Sequence, residues 1–310
     1  MKKNINKKIS QLFLLFIIIV VLALISFTYL YKKSQNWQFY TNKSIGPNNK
    51  LNIFDNLIFD KNTVFFNSQN NNTYALNKNN GQISWIFSAE YYSPFPPTIT
   101  DDKVFLANFD GNIYCLDKNT GKKIWQFSTE EQYQPDTPVL KSSNHDLVFI
   151  GSRNGALYAL NSVDGSLVWK KQFQELNASK AFIGGSIHFG SIYLDDDAVY
   201  VFNAVENKFF SISQLDGTSN WQIDNLEFSY RSPMFYPNHI VIKQNKYVLS
   251  IDKKTGSMQK INRSGQENVA WEIFKIEDDE EQLLILDDHA LQKIDINFRE
   301  IKWTANNVDN

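Results

Sequence analysis

Short apolar runs separated by turn residues follow one another along most of the chain, and this pattern predicts β-strands. The apolar run Val104–Ala107 is followed by Asp110 and Gly111, and then by a second run, Ile113–Leu116. Glycine adopts positive φ without strain, so an Asp-Gly or Asn-Gly pair between two such runs predicts a tight hairpin. Aromatic residues make up 15% of the chain, and they favour strands. The pattern therefore predicts an all-β domain built from hairpins.

The N-terminal segment has a different pattern. Residues Leu12–Leu30 form an uncharged run of 19 residues, which as a helix covers about 28 Å, close to the roughly 30 Å of a hydrocarbon core. The larger cluster of positive charge precedes the run, so the rest of the chain is expected outside the cytoplasm. The flanking lysines are Lys2, Lys3, Lys7 and Lys8 before the run and Lys32 and Lys33 after it.

A cleaved signal peptide is the alternative interpretation of this segment. Such peptides have an apolar region of about 7–15 residues followed by small residues at the cleavage site. Here the run is longer, and its small-x-small candidate, Ser26–Thr28, lies inside it. The sequence therefore favours one uncleaved transmembrane helix.

The remaining chain contains internal repeats. In each of four copies a small residue is followed six residues later by glycine, and the glycine is followed four residues later by tryptophan. A fifth copy has Lys260 in place of tryptophan, and a sixth has Arg299 in place of glycine. The small residues are Ala75, Cys115, Ala159 and Ser211, the glycines are Gly81, Gly121, Gly165, Gly217 and Gly256, and the tryptophans are Trp85, Trp125, Trp169, Trp221 and Trp303.

The repeat spacing predicts blades of four short strands. Successive copies lie 39 to 52 residues apart, within the range typical of propeller repeats. A tryptophan at one fixed position per repeat indicates packing between neighbouring blades, and burying each indole is worth on the order of 2–3 kcal/mol. Lys260 predicts one weaker seam. Stacking on a ligand is the alternative role for these tryptophans.

The repeat resembles the tryptophan-docking motif of PQQ-like β-propellers. The resemblance covers residues 37–303 and implies a ring of six blades, with seven or eight as alternatives. We expect a basic cytoplasmic tail at 1–11, an anchor at 12–31, a linker and latching strand at 32–50, and the propeller at 51–310. In the latching strand, Trp37–Phe39 resembles the closing strand Trp125–Phe127. The family includes quinone-dependent dehydrogenases and non-catalytic members such as the propeller lipoprotein of the outer-membrane β-barrel assembly machinery.

Composition excludes several classes of function. The net charge is -2, so the chain has no basic excess for a nucleic-acid backbone. The single cysteine, Cys115, cannot form an internal disulfide. The histidines are 43 or more residues apart and form no short metal-ligand motif. The acidic runs Asp195–Asp197 and Glu277–Glu281 are interpreted as solvated turns, with calcium ligation as the alternative. We therefore expect no catalytic residue, cofactor or metal.

The loops that lead into the inner strands carry the candidate partner-binding residues. Tyrosine and arginine are enriched at binding hot spots, and inward packing between blades is the alternative. The predicted function is a protein-binding scaffold, held in the inner membrane with its propeller on the periplasmic side and acting in outer-membrane protein assembly. A quinone-dependent dehydrogenase and an envelope sensor or polymer-binding propeller are the alternatives. The candidate residues are Tyr91, Tyr92, Glu130, Tyr133, Tyr230 and Arg231.

Overall fold

The computed structural model describes residues 20–22, 39, 57–130, 133–173, 189–195, 197–203, 207–226, 233–244, 247–262, 271–275, 282–287, 290–295 and 301–306. Contacts divide the chain into two compact units, residues 1–125 and 126–310. Residues 20–22 are helical, and within the described ranges no helix is long and apolar enough to cross a membrane. The predicted tail at 1–11, and the anchor at 12–31 apart from residues 20–22, lie outside the described residues.

The prediction of an all-β fold made of four-stranded units is confirmed. The described strands form six four-stranded sheets, each with its strands in chain order, and the described pairings in all six sheets are antiparallel. Sheet 1 contains β1 (Ile58–Phe59), β2 (Thr63–Ser68), β3 (Asn72–Asn77) and β4 (Ile83–Ser88), and sheet 2 contains β5 (Thr98–Ile99), β6 (Lys103–Ala107), β7 (Asn112–Asp117) and β8 (Lys123–Ser128).

The other four sheets lie in the second unit. Sheet 3 contains β9 (Leu140–Lys141), β10 (Leu147–Gly151), β11 (Ala156–Asn161) and β12 (Leu167–Gln172), and sheet 4 contains β13 (Phe189–Leu194), β14 (Ala198–Asn203), β15 (Lys208–Ser213) and β16 (Ser219–Ile223). Sheet 5 contains β17 (Met234–Phe235), β18 (His239–Lys243), β19 (Tyr247–Asp252) and β20 (Met258–Asn262), and sheet 6 contains β21 (Trp271–Lys275), β22 (Gln282–Asp287), β23 (Ala290–Asp295) and β24 (Ile301–Asn306).

The repeat turn between the third and fourth strands is held by its own side chains. Oδ1 of Asp117 accepts hydrogen bonds from the amides of Asn119 and Thr120 at 3.1 and 2.8 Å. The amide of Gly121 donates to the carbonyl of Asp117 at 2.8 Å, with the glycine at a φ of 68°. An aspartate that bonds the backbone ahead of it and a glycine in the left-handed region together specify this turn.

Neighbouring sheets pack face to face within each unit. In the first unit, Phe65 and Trp85 of sheet 1 belong to one buried cluster with Val104 and Leu116 of sheet 2. In the second unit, sheet 3 packs on sheet 4 and sheet 4 on sheet 5 in the same manner. The third and fourth strands pair so that the small first residue of the repeat lies opposite the tryptophan, as Ala75 does for Trp85. The indole therefore lies over the smallest side chain of the neighbouring strand.

Sheet 5 departs from this register. In sheets 1, 3, 4 and 6 a bulge follows the first residue of the repeat, whereas β19 and β20 pair without a shift. Ser250 therefore lies opposite Gln259, and Lys260 lies opposite Leu249. Because successive residues face opposite sides of a sheet, Lys260 is on the face opposite to that of the missing indole. Its ammonium lies 4.0 Å from the centroid of the Tyr247 ring.

One residue of the predicted linker is described. Phe39 packs edge-on against Phe66 and Tyr74, with ring centroids 5.9 and 5.3 Å apart. The same contact recurs elsewhere, because Phe87 meets Tyr114 at 5.1 Å and Phe127 meets Tyr158 at 5.6 Å. Phe39 therefore covers the face of sheet 1 in the way a phenylalanine two residues after the tryptophan covers the next sheet. The rest of the predicted latching strand lies outside the described residues.

Candidate functional site

The tryptophans of three repeats pack on the glycine of the following repeat. A Cβ atom added to Gly121 would lie 2.6 Å from Cδ2 of Trp85, and one added to Gly217 would lie 2.9 Å from Cδ2 of Trp169. At Gly256 the added atom would lie 2.7 Å from Cγ of Trp221. Real Cβ contacts are longer than this. Glycine is therefore required at these positions because the indole approaches its Cα too closely for a side chain, and also because of its positive φ.

Each of these indoles also donates a hydrogen bond across the seam. Nε1 of Trp85 donates to the carbonyl oxygen of Lys118 at 2.7 Å, and Nε1 of Trp221 donates to that of Lys253 at 2.7 Å. Trp169 donates to Gln214 in the same way at 2.8 Å. The acceptor is always the residue three positions after the start of the repeat. Both the ring and its polar edge are therefore satisfied at the seam.

The residue whose carbonyl accepts the indole hydrogen bond also contacts the preceding sheet through its side chain. Nζ of Lys118 pairs with Asp60 Oδ2 at 2.7 Å, and Lys253 pairs with Asp195. In the seam between sheets 3 and 4 a neutral pair replaces the ion pair, because Ser142 Oγ donates to Oε1 of Gln214 at 2.6 Å. The sequence pattern did not reveal these contacts, although the residue after each first strand could have been compared with the fourth residue of the next repeat.

The remaining predicted docking residues are placed as follows. Trp125 is buried and its ring lies 5.9 Å from that of Phe105. The backbone of Trp303 pairs with Lys293, the first residue of its repeat. Gly81 and Gly165 have φ values of 69° and 76°, the left-handed conformation that the repeat turn requires.

The loop between sheets 1 and 2 presents one exposed tyrosine. Tyr91 is 54% exposed, whereas Tyr92 is half-buried and its ring lies 5.3 Å from that of Phe109. Nδ2 of Asn108 donates to the carbonyl of Tyr91 at 2.6 Å, and Nδ2 of Asn67 donates to that of Phe95 at 2.6 Å. Buried amide side chains from two hairpins thus fix the loop that carries Tyr91.

The loop before sheet 3 carries the second group of predicted partner-binding residues. Tyr133 is 41% exposed, and the hydroxyl of Thr129 donates to its carbonyl at 2.6 Å. Glu130 pairs with Nζ of Lys170 at 2.5 Å. Nη1 of Arg153 donates to Oε1 of Gln134 at 2.5 Å, so the loop is also tied to the hairpin after β10. Tyr230 and Arg231 lie outside the described residues.

Among the described residues no three His, Cys, Asp or Glu side chains lie close enough together to hold a metal ion. Cys115 is fully buried, and burial raises the pKa of its thiol to about 12. His145 is brought together with Asp195 and Asp197, two residues of the acidic run in the sequence. They line a cavity of about 700 Å³ in the second unit, together with residues of sheets 4 and 5.

Polar and charged groups meet at this cavity. Nε2 of His145 lies 3.7 Å from Asp197 Oδ1 and has no hydrogen-bond partner among the described residues, although the atom is buried. Burial, and then the negative charge of Asp195, raises the pKa of Tyr200. The ammonium of Lys253, besides its pairing with Asp195, lies 5.8 Å from the centroid of the Phe235 ring. The sequence singled out the acidic run that contains Asp195 and Asp197, but not its association with His145 and Lys253, because these residues come from three different sheets.

The repeats and their seams can be compared with known proteins. The family described as outer membrane protein assembly factor BamB, a PQQ-like repeat family, matches residues 35–145 and 109–291. The chain belongs to this family. Its fold is that of a PQQ-like repeat propeller, as the sequence resemblance predicted.

Two solved structures are similar to this family member. One is the crystal structure of BamB from Moraxella catarrhalis, with a TM-score of 0.54 and 18% sequence identity over 82% of this chain and 76% of that chain. The other is a europium-containing methanol dehydrogenase, with a TM-score of 0.51 and 17% identity over 69% of this chain and 53% of that chain. The chain thus spans about half of that dehydrogenase. A search of curated proteins gave no match.

Proposed function

We propose that this protein is a non-catalytic scaffold that binds another protein through the loops between its sheets. The observation that carries the proposal is that Tyr91 and Tyr133 are 54% and 41% exposed, while side chains of Asn108 and Thr129 hold their carbonyl groups. An exposed tyrosine whose backbone is already held by hydrogen bonds loses little conformational entropy on binding. The family match, whose description names an assembly factor, supports a protein rather than a small molecule as the partner.

Photocrosslinking tests this proposal. A photoreactive phenylalanine analogue is placed at Tyr91, at Tyr133 and at the control position Val163, which is 53% exposed on a repeat turn. In the native host we expect the first two positions to crosslink one defined protein and Val163 to crosslink none of it. The same product from all three positions, or no product from Tyr91 and Tyr133, contradicts the proposal.

We extend the proposal to the place of action. Residues 12–31 anchor the protein in the inner membrane, and six blades close into a ring on the periplasmic side. A cysteine introduced at Val163 in intact cells should then react with a thiol reagent that crosses the outer but not the inner membrane. Labelling only after lysis would place the propeller in the cytoplasm and contradict this.

Outer-membrane protein assembly is the process that the family description suggests. Deletion of the gene in its own host should lower the amounts of folded β-barrel proteins in the outer membrane. Re-expression of the Tyr91→Ala, Tyr133→Ala double variant should leave the defect, while Val163→Ala should restore wild-type amounts. Unchanged barrel proteins in the deletion strain would exclude this process but leave the crosslinking result standing.

The similarity to a methanol dehydrogenase supports a second candidate, a quinone-dependent dehydrogenase. That likeness rests on the fold. Purified protein is mixed with the quinone and either calcium or a lanthanide, and dye reduction by alcohols and sugars is measured. Turnover that requires both the quinone and the metal would replace the scaffold proposal with this one.

A further inference from the structure

The cavity of the second unit lies where sheet 4 departs from the other sheets. In sheets 1, 2 and 3 the second and third strands place a phenylalanine opposite a small apolar residue or cysteine at the seam, in the pairs Phe65–Ala75, Phe105–Cys115 and Phe149–Ala159. Sheet 4 places Tyr200 opposite Ser211 there. Nδ2 of Asn220, on its fourth strand, donates to Ser211 Oγ at 3.1 Å. Tyr200 and Ser211 thus place hydroxyl groups where these three sheets have phenylalanine opposite alanine or cysteine, and Asn220 adds an amide.

Loops of sheets 3, 4 and 5 complete the cavity. The loop before β10 contributes His145, the turn after β19 contributes Lys253 and Lys254, and the loop before β14 contributes Asp195 and Asp197. Its volume of about 700 Å³ is within the roughly 300–1,000 Å³ of small-molecule sites. Leu215, which is 62% exposed, and Pro237 add apolar surface at its edge.

The charges of the cavity balance. Among the described residues that line it, the carboxylates are those of Asp195 and Asp197 and the ammonium groups are those of Lys253 and Lys254. A phosphate-rich ligand would meet the two carboxylates, and a polycation would meet the two ammonium groups, so neither gains from the site as a whole. A neutral ligand that both donates and accepts hydrogen bonds can use every group.

The carboxylate of Asp197 and the imidazole of His145 lie 3.7 Å apart without a hydrogen bond between them, so both are available for such a ligand. The Asp197 side chain is 87% exposed, whereas the carboxylate of Asp102, at the same loop position in sheet 2, pairs with Nζ of Lys103 at 2.8 Å. The buried Nε2 of His145 has no hydrogen-bond partner among the described residues, and such a buried group carries a desolvation penalty until it is paired.

We propose that this cavity binds a saccharide, a neutral ligand rich in hydroxyl groups. Sugar hydroxyls donate to Asp197 and accept from Lys254 and Asn220, and the apolar face of a sugar ring lies on Leu215 and Pro237. The proposal does not depend on protein binding by the loops, which involves other residues.

Saturation-transfer NMR of the full-length protein, in a detergent without a sugar headgroup, tests the proposal. The probes are maltotriose, cellotriose and triacetylchitotriose, with spermidine and inorganic phosphate as charged comparisons. The triple variant Tyr200→Phe, Ser211→Ala, Asn220→Ser gives sheet 4 the residues that sheet 1 has at these positions, so it should fold. Asp197→Asn removes the exposed carboxylate, and Asp102→Asn is its matched control.

We expect at least one trisaccharide to bind and both cavity variants to weaken its binding about tenfold or more, the effect of losing a hydrogen bond to a charged group. Asp102→Asn should bind as the wild type does. The proposal is overturned if none of the three sugars binds, if the cavity variants bind as well as the wild type, or if Asp197→Asn abolishes binding of spermidine instead.

Discussion

Gln214 and Ser142 are joined by a 2.6 Å hydrogen bond across the seam between sheets 3 and 4. At two other seams an ion pair occupies the equivalent positions. The equivalent residues are Lys118 with Asp60 and Lys253 with Asp195. The residue after the first strand and the fourth residue of the next repeat thus vary together: lysine faces aspartate and glutamine faces serine. Gln214 is fully buried, so a charge at this position requires a charged partner.

Gln214→Lys should therefore destabilise the protein, whereas the double variant with Ser142→Asp should recover most of the loss. An ammonium group opposite a serine is buried without a counter-charge, which costs about 2–4 kcal/mol. The free energy of unfolding is measured by urea titration with tryptophan fluorescence. If Ser142→Asp does not improve Gln214→Lys, the two positions are not coupled and the pairing is incidental.

Gly121→Ala should destabilise the protein by about 2–4 kcal/mol. The added methyl group meets the indole of Trp85, which is overpacking of about 1–3 kcal/mol, and alanine at this positive φ costs roughly 1 kcal/mol more. A double-mutant cycle with Trp85→Ala separates the two effects. Removing the indole should abolish the clash and leave the backbone cost. Strictly additive losses would show that the glycine serves the turn alone.

The sequence was sufficient to predict the seams because both residues of each contact occupy fixed positions of the repeat. The glycine is required for its positive φ and for its lack of a Cβ, so it recurs at the same position in five of the six copies. Gly121 and Trp85 are 36 residues apart, yet their spacing within the repeat identifies both. The hairpin positions Gly111 and Gly155 follow from the same conformational restriction, with φ values of 83° and 79°.

The sequence could not show the register of sheet 5 or the cavity. Counting along the repeat places Lys260 at the tryptophan position, but the missing bulge shifts the pairing by one residue and turns its side chain to the other face. The cavity depends on which loops of three sheets meet, and neither His145 nor Asp197 belongs to a motif. The exposure of Tyr91 and the half-burial of Tyr92 likewise depend on the loop's hydrogen bonds rather than on residue type.

Stability should fall as the pH drops below about 4. Hydrogen bonds from the hydroxyl and amide of Thr120 lower the pKa of Asp117 from its ordinary value of 3.8, and those from Ser166 lower the pKa of Asp164 in the same way. A lowered folded-state pKa stabilises the protein above the unfolded-state value, and this contribution is lost as the pH falls through the folded-state value.

The variant Asp117→Asn tests this pH dependence. It keeps an oxygen acceptor, as Asn77 does in the first repeat, where Oδ1 accepts from the amide of Asn79 at 2.9 Å, but it cannot be protonated in this range. The acid limb of the stability curve between pH 5 and 2, followed by urea unfolding, should be shallower for the variant. An identical limb would show that other carboxyl groups cause the acid sensitivity.

Cys115 should resist alkylation in the folded protein. Its thiol has no exposed area, and with a pKa raised to about 12 only about one thiol in ten thousand is ionised at pH 8. Since the thiolate is the reactive form, modification requires the sheet to open. Iodoacetamide should therefore modify Cys115 within minutes in urea and many times more slowly in buffer, while a cysteine introduced at Val163 reacts at the rate of an exposed thiol.

Gly121→Ala lies in the same repeat and loosens its seam, so it should accelerate modification of Cys115. Equal rates in that variant and the wild type would mean that sheet 2 opens independently of its seam with sheet 1.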